Sequence, residues 1–201
     1  MIRLVLADDQ ALVRGAIAAL LGLEPDLEVV AEVGSGDAAV EAVLQHSPDV
    51  ALLDVEMPGL DGIEAARVIR ERSPGTRVLM VTTFGRPGYL KRALTAGASG
   101  FVVKETPAAQ LADAVRRVHQ GLRVVDPALA MDSLTAGDSP LTARETDVLQ
   151  AARDGASVAV IASRVHLSEG TVRNHLSAAI GKTGFGNRAE AVLLAEGNGW
   201  L

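Results

Sequence analysis

The 201-residue sequence has no cysteine, which excludes disulfides and thiolate metal sites and fits a reducing compartment. Aromatic residues are scarce: one Trp, one Tyr and three Phe in the whole chain. Proteins that stack unpaired bases on aromatic platforms, and RNA-recognition sheets, are therefore poor matches. Long apolar runs are lacking as well. Gly15 to Leu23, the longest near the start, has nine residues, whereas a membrane-spanning helix needs about 20. The apolar opening Leu4-Val5-Leu6-Ala7 meets two carboxylates, Asp8 and Asp9, too soon for a signal peptide. A cytoplasmic protein without membrane insertion is expected.

What is present describes a globular chain. Hydrophobic residues make up 48% and charged residues 22%, and the length suits two small domains or one large one. Charge is unevenly spread. Residues 1–139 hold 13 basic and 19 acidic side chains, a net of −6, while residues 140–201 hold 6 of each. The acidic first part suits a cation site, and the neutral second part lacks the strong basic excess common in nucleic-acid binders.

Two periods alternate through the first 121 residues. Short Val- and Leu-rich runs at Ile2–Ala7, Glu28–Val33, Pro48–Leu53, Arg77–Val81 and Gly100–Val103 read as strands. Between them, Leu12–Leu21, Ala38–Leu44, Ile63–Ile69, Tyr89–Leu94 and Leu111–Val118 have helical spacing. Five such units predict a doubly wound α/β domain with a five-stranded parallel sheet, its site at the carboxyl ends of the strands. From Leu122 to Ser139 the periodicity stops, and the stretch reads as a linker with one helical turn near Ala128–Leu134. Residues 140–201 then read as four short helices. Thr142-x-x-Glu145 is a capping box opening the first, which runs through Arg153 and stops at Gly155. The second spans Val158–Val165, Ser168 caps a third that runs to Lys182, and Asn187-x-x-Glu190 opens the fourth.

In a 2-1-3-4-5 strand order the first and third strands are neighbours, so Asp8, Asp9 and Asp54 converge at one edge. Close carboxylates repel, and a hard divalent cation relieves that cost. Thr82 and Lys104 end strands four and five at the same rim and offer a hydroxyl and a positive charge to a phosphoryl oxygen. A lone Asp at a strand end is usually a helix cap, but the full set has no such bland explanation. Asp8-Asp9, Asp54-Val55-Glu56-Met57-Pro58-Gly59-Leu60-Asp61-Gly62, Val81-Thr82-Thr83 and Val103-Lys104 resemble the receiver domain of bacterial two-component response regulators. The resemblance implies a flavodoxin-like fold in which Asp54 accepts a phosphoryl group from a sensor histidine kinase. It implies Mg²⁺ held by Asp9, Asp54 and the backbone carbonyl of Glu56, with Asp8 acting mostly through water. Thr82 becomes the switch hydroxyl, Lys104 the phosphate partner and Phe101 the switch aromatic, where Tyr or His is commoner; a plain core role for Phe101 is the alternative. No catalytic cycle is expected beyond autodephosphorylation. Asp54-x-Glu56 is also similar to the haloacid-dehalogenase-type phosphatases, but those need Asp at the second position and a Thr or Val after it.

In the third helix of the second part, Val172, Leu176, Ala179 and Ile180 form one stripe, leaving Arg173, Asn174, Ser177 and Gly181 on the far side. Arg reads guanine and Asn reads adenine by paired hydrogen bonds in the major groove. Leu141-Thr142-x-Arg144-Glu145, Leu167-Ser168-Glu169-x-Thr171-Val172-Arg173-x-His175, Lys182-Thr183 and Asn187-Arg188-x-Glu190-Ala191 resemble the LuxR/NarL-type helix-turn-helix. With the receiver, the chain is similar to NarL/FixJ-family response regulators along nearly its full length. The resemblance implies base or backbone contacts from Arg173 and Asn174, with Ser177 where relatives often carry a basic residue. Thr171, Lys182 and Arg188 are implied to meet phosphates. The partners it implies are a double-stranded DNA operator and a homodimer formed on activation, which would supply affinity that a single neutral helical part lacks. Within the family, Val81-Thr82-Thr83-Phe84-x-Arg86-Pro87-Gly88-Tyr89-Leu90 resembles the DesR-type subgroup most, whose partner kinases sense membrane state. Two other readings remain open at this point: a receiver whose helical part docks a protein, and a regulator that binds DNA without phosphorylation.

Overall fold

Each Val- and Leu-rich run becomes a strand: β1 (Ile2–Ala7), β2 (Leu27–Val33), β3 (Val50–Leu53), β4 (Arg77–Thr82) and β5 (Gly100–Val103). They alternate with α1 (Ala11–Leu21), α2 (Gly36–His46), α3 (Gly62–Arg72), α4 (Pro87–Ala96) and α5 (Ala108–His119). The computed structural model describes residues 1–83, 87–135 and 139–201, except the side chains of Pro87 and residues 132–135. Phe84 and Arg86 of the subgroup motif, and residues 136–138 of the expected linker, lie outside the described residues.

All strand pairings are parallel, in the order β2-β1-β3-β4-β5, as the resemblance implied. Successive side chains point to opposite faces, so each strand feeds two cores. Val5, Ala7, Ala51, Leu53, Val78, Met80 and Phe101 pack with apolar residues of α2, α3 and α4. Leu4, Leu6, Val50, Leu52, Leu79, Val81 and Val102 pack with those of α1 and α5. Strands buried on both faces must be apolar throughout, which is why β3 reads Val-Ala-Leu-Leu. Each fully buried Leu contributes about 1.5–3 kcal/mol relative to exposure.

One expectation needs correcting. The sheet has six strands, not five: β6 (Val124–Val125) pairs with β5 in the register Gly100↔Val124 and Phe101↔Val125. A helix, α6 (Pro127–Thr135), follows it. Two valines are too short a run to show a period in sequence. They form a strand because the outer edge of β5 offers unpaired backbone groups that Val124 and Asp126 can bond.

The chain divides into two compact units, the first running to Asp132 and the second from Ser133. The second unit holds α7 (Ala143–Gln150), α8 (Val158–Val165), α9 (Glu169–Thr183) and α10 (Arg188–Gly197) around Val148, Leu149, Ile161, Val172, Leu176, Ala179, Ala191 and Val192. Both halves of the Thr142–Glu145 capping box are made. His166 takes a left-handed conformation (φ 54°) that ends α8, and the Ser168 hydroxyl accepts the Thr171 N–H to begin α9. That three-residue turn is the hinge of a helix-turn-helix.

The first turn of α3 sits hard against β3. Gly62 donates its N–H to the Val55 carbonyl (3.0 Å), and a Cβ at Gly62 would overlap the Asp54 carbonyl oxygen. Gly62→Ala should therefore lower stability by about 2–3 kcal/mol through overpacking. Gly15→Ala, where a Cβ in mid-α1 meets nothing within 4 Å, should raise it by about 0.5–1 kcal/mol. Urea unfolding of both variants checks the pair, and equal effects would contradict the packing derived for Gly62.

Candidate functional site

Asp8 and Asp54 become neighbours through the backbone. The Asp54 N–H bonds to the Ala7 carbonyl (2.8 Å), so the residues just past β1 and β3 lie side by side. Asp8 is 1% exposed and Asp54 4%. Carboxylate oxygens of Asp8, Asp9 and Asp54 all lie within 4.8 Å of one another.

Lys104, just past β5, reaches both buried acids: its Nζ stands 2.7 Å from Asp8 Oδ2 and 3.0 Å from Asp54 Oδ2. It is placed by its own N–H, which bonds to the Thr82 carbonyl (2.8 Å). The remaining oxygens are partly occupied: Asp8 Oδ1 accepts the Gln10 N–H (2.9 Å) and Asp54 Oδ1 the Val55 N–H (2.8 Å). Burial pushes the Asp54 carboxyl above its ordinary value against the pull of the Lys104 ammonium, and the Asp8 charge adds to the rise. Burial pulls the Lys104 ammonium down, but Asp8 and Asp54 together hold it above its usual value. One ammonium against three carboxylates leaves two negative charges on an all-oxygen donor set. That surplus fits a hard divalent cation.

Thr82 and Phe101 lie on the same face of the sheet. Thr82 is buried at the end of β4, and alternation puts it on the sheet face of Met80. Phe101 is fully buried, pairs with Met80 in register, and belongs to that face's core. Glu56 begins the loop after Asp54 and is exposed. Its carboxylate accepts the Tyr89 hydroxyl of α4 (3.1 Å).

Sequence reasoning missed several residues that hold this loop. Tyr89 is one, and Arg92, one turn further on α4, stands 3.8 Å from Asp61. From the other side, Asp37 Oδ2 accepts the Leu60 N–H (3.3 Å), and a Cβ at Gly36 would overlap the Leu60 carbonyl oxygen. A glycine directly after a capping residue, as in Ser35-Gly36 and Asp61-Gly62, was the available signal.

In the second unit, α9 buries Val172, Leu176 and Ala179 and exposes Arg173, Asn174 and Ser177. Among the described residues, Arg173 pairs along its own helix, with Glu169 (2.7 Å). Thr171 is half-buried and its hydroxyl lies 2.8 Å from that of Ser168. Lys182 and Arg188 have work inside the unit. The Lys182 ammonium donates to Glu145 Oε2 (2.7 Å), tying α9 to α7, and Arg188 donates to the carbonyls of Ala156 (2.8 Å) and Gly155 (3.2 Å).

The Lys182 ammonium, aided by the Thr142 N–H, holds the Glu145 carboxyl below its usual range. A carboxyl that binds its proton more weakly when folded contributes stability above its unfolded pKa and loses it as pH falls through the lowered value. Lys182→Met should cost about 1–2 kcal/mol at neutral pH, discounted because the lysine is over a third exposed. The gap to wild type should shrink as pH falls from about 5 to about 3. Unfolding followed by Trp200, the single tryptophan and part of the second unit's core, reports it; a gap that stays flat would deny the pair this role.

Comparison with known proteins agrees with this geometry. Residues 4–116 match the response regulator receiver domain, and residues 139–195 match the luxR family of bacterial regulatory proteins. The chain is 40% identical over 201 residues to the transcriptional regulatory protein DesR of Bacillus subtilis, covering all of both chains. It is 38% identical over 201 residues to the response regulator RamR of Streptomyces coelicolor, covering all of this chain and 98% of that one. Among solved structures, the response regulator ChrA of a heme-sensing two-component system aligns with a TM-score of 0.60 at 32% identity, over 100% of this chain and 98% of that one. The chain belongs to the NarL/FixJ family of two-component response regulators, a receiver domain followed by a LuxR-type DNA-binding domain, and it controls transcription.

Proposed function

We propose that Asp54 takes a phosphoryl group from the phosphohistidine of a sensor kinase, and that the resulting acyl phosphate drives pairing of two chains on a DNA operator. The observation that carries this reading is the buried Asp8–Lys104–Asp54 cluster with Asp9 beside it. Mg²⁺ held by Asp8, Asp9, Asp54 and the Glu56 carbonyl would neutralise charge on the phosphoryl oxygens. The chain's own residues do the rest. An Asp54 oxygen attacks phosphorus as the P–N bond to the histidine breaks. Lys104, already at Asp54 Oδ2, offers its charge to a phosphoryl oxygen, and the Thr82 hydroxyl turns toward another. Phe101, on the same sheet face as Thr82, then shifts within its core. Beyond accepting the phosphoryl group, the chain is assigned hydrolysis of its acyl phosphate by water.

For DNA, Arg173, Asn174 and Ser177 on the exposed face of α9 are the proposed major-groove contacts. Thr171, Lys182 and Arg188 are proposed for phosphates: Lys182 uses one donor on Glu145 and Arg188 two on carbonyls, which leaves each with others. Residues 140–201 hold six basic and six acidic side chains, so one copy neutralises few phosphates and two half-sites must share the task. Among the described residues no helix is long and apolar enough to cross a membrane. The proposed place of action is the cytoplasm, where a kinase and an operator are both reachable.

Light scattering should show a monomer that becomes a dimer with beryllofluoride and Mg²⁺, a change abolished in Asp54→Asn. Stoichiometric labelling of Asp54→Asn by acetyl phosphate would rule Asp54 out as the acceptor. Arg173→Ala should weaken specific operator binding roughly 5- to 150-fold, the range for one base contact, while leaving dimerisation by the mimic intact. Unchanged operator affinity would favour a docking role for the helical unit.

A further inference from the structure

Residues 124–129 lie along β5, the strand that carries Phe101 and leads into Lys104. The Val124 N–H bonds to the Ser99 carbonyl and the Asp126 N–H to the Phe101 carbonyl, both at 3.2 Å. Gly100 permits this approach, since a Cβ there would stand 3.0 Å from the Val124 carbonyl oxygen. Asp126 then starts α6, its Oδ1 accepting the N–H groups of Ala128 (2.8 Å) and Leu129 (3.4 Å). Leu129 is 7% exposed and inserts into the core that holds Phe101, with Val125 packed against the same core. Val124 enters the opposite core. The segment is thus pinned to both faces of the sheet beside the proposed switch aromatic, among the described residues by two ladder positions and by the apolar side chains of Val124, Val125 and Leu129. Beyond Leu129, α6 carries the chain out of the first unit, which ends at Asp132.

We infer that β6 and the first turn of α6 form a strap that docks on β5 when Asp54 is unmodified and loosens when it is phosphorylated. The inference rests on Asp54 as the acceptor. The coupling is local: movement of Phe101 changes the carbonyl that Asp126 bonds and disturbs the core that Leu129 joins. Release has a geometric use. Residues 124–132, freed and extended at about 3.3 Å each, form a tether of up to about 30 Å. Half-sites on DNA lie roughly 34 Å apart, so the length of the freed tether is on the scale that two recognition helices need. Linkage makes the coupling reciprocal: a strap that prefers the unmodified receiver also opposes modification, and weakening it favours the modified state.

Hydrogen exchange of the full-length protein, read by mass spectrometry over residues 122–130, tests this with beryllofluoride and Mg²⁺ as the probe. Binding of the mimic, scored independently by fluorine NMR, should speed exchange in this segment about tenfold or more. Leu129→Ala should show fast exchange without the mimic and bind it about 3- to 10-fold more tightly. A bound mimic with unchanged exchange in wild type overturns the strap even if the variant misfolds. So does a folded Leu129→Ala with wild-type affinity for the mimic. No adduct on wild type at all would instead bring down the assignment of Asp54, and the strap's trigger with it.

Discussion

Two carboxylates buried side by side are the constraint on which the first unit turns. Asp8 and Asp54 are forced together by the hydrogen bond from Asp54 N–H to the Ala7 carbonyl, so the parallel pairing of β1 and β3 creates their repulsion. Lys104 relieves it from two strands away, which only the order β1-β3-β4-β5 allows. Removing one partner from such a buried arrangement typically costs about 3–5 kcal/mol, because the other charge is left unpaired. Even so, Lys104 leaves the site two charges short of neutrality. The same surplus that strains the folded state is what fits the site to a divalent cation.

The second unit rests on a different principle. Its recognition helix is tied to α7 by Glu145–Lys182, and Arg188 of α10 holds the turn between α7 and α8, while the exposed face of α9 presents few donors. Rigid placement substitutes for charge: with no net positive charge, the unit must place Arg173 and Asn174 accurately if they are to read bases. An affinity divided between two copies is easily controlled by whatever brings them together, which fits a phosphorylation signal in the first unit.

Much of this was legible in the residues. Runs such as Val50-Ala51-Leu52-Leu53 can only be strands buried on both faces, and five of them separated by helices imply the doubly wound sheet. Carboxylates standing directly after two of those runs located the site, and the Thr142–Glu145 and Ser168 caps located the helices. Less legible were features that depend on a neighbour far off in the chain. Val124-Val125 carries no period of its own and becomes a strand because β5 has an open edge. Tyr89 looks like one more core aromatic until its hydroxyl meets Glu56, 33 residues away.

The sequence by itself therefore determined the five main strands, the helices between them and the identity of the acidic site, because hydrophobic period, capping and strand-end chemistry are local properties. Tertiary structure alone decided the partners. Lys104 could have paired with one acid or neither, and Lys182 reads as a cation free for DNA until α7 brings Glu145 to it. Charge pairing depends on distances of a few ångströms between residues tens of positions apart, and those distances exist only once the chain has packed.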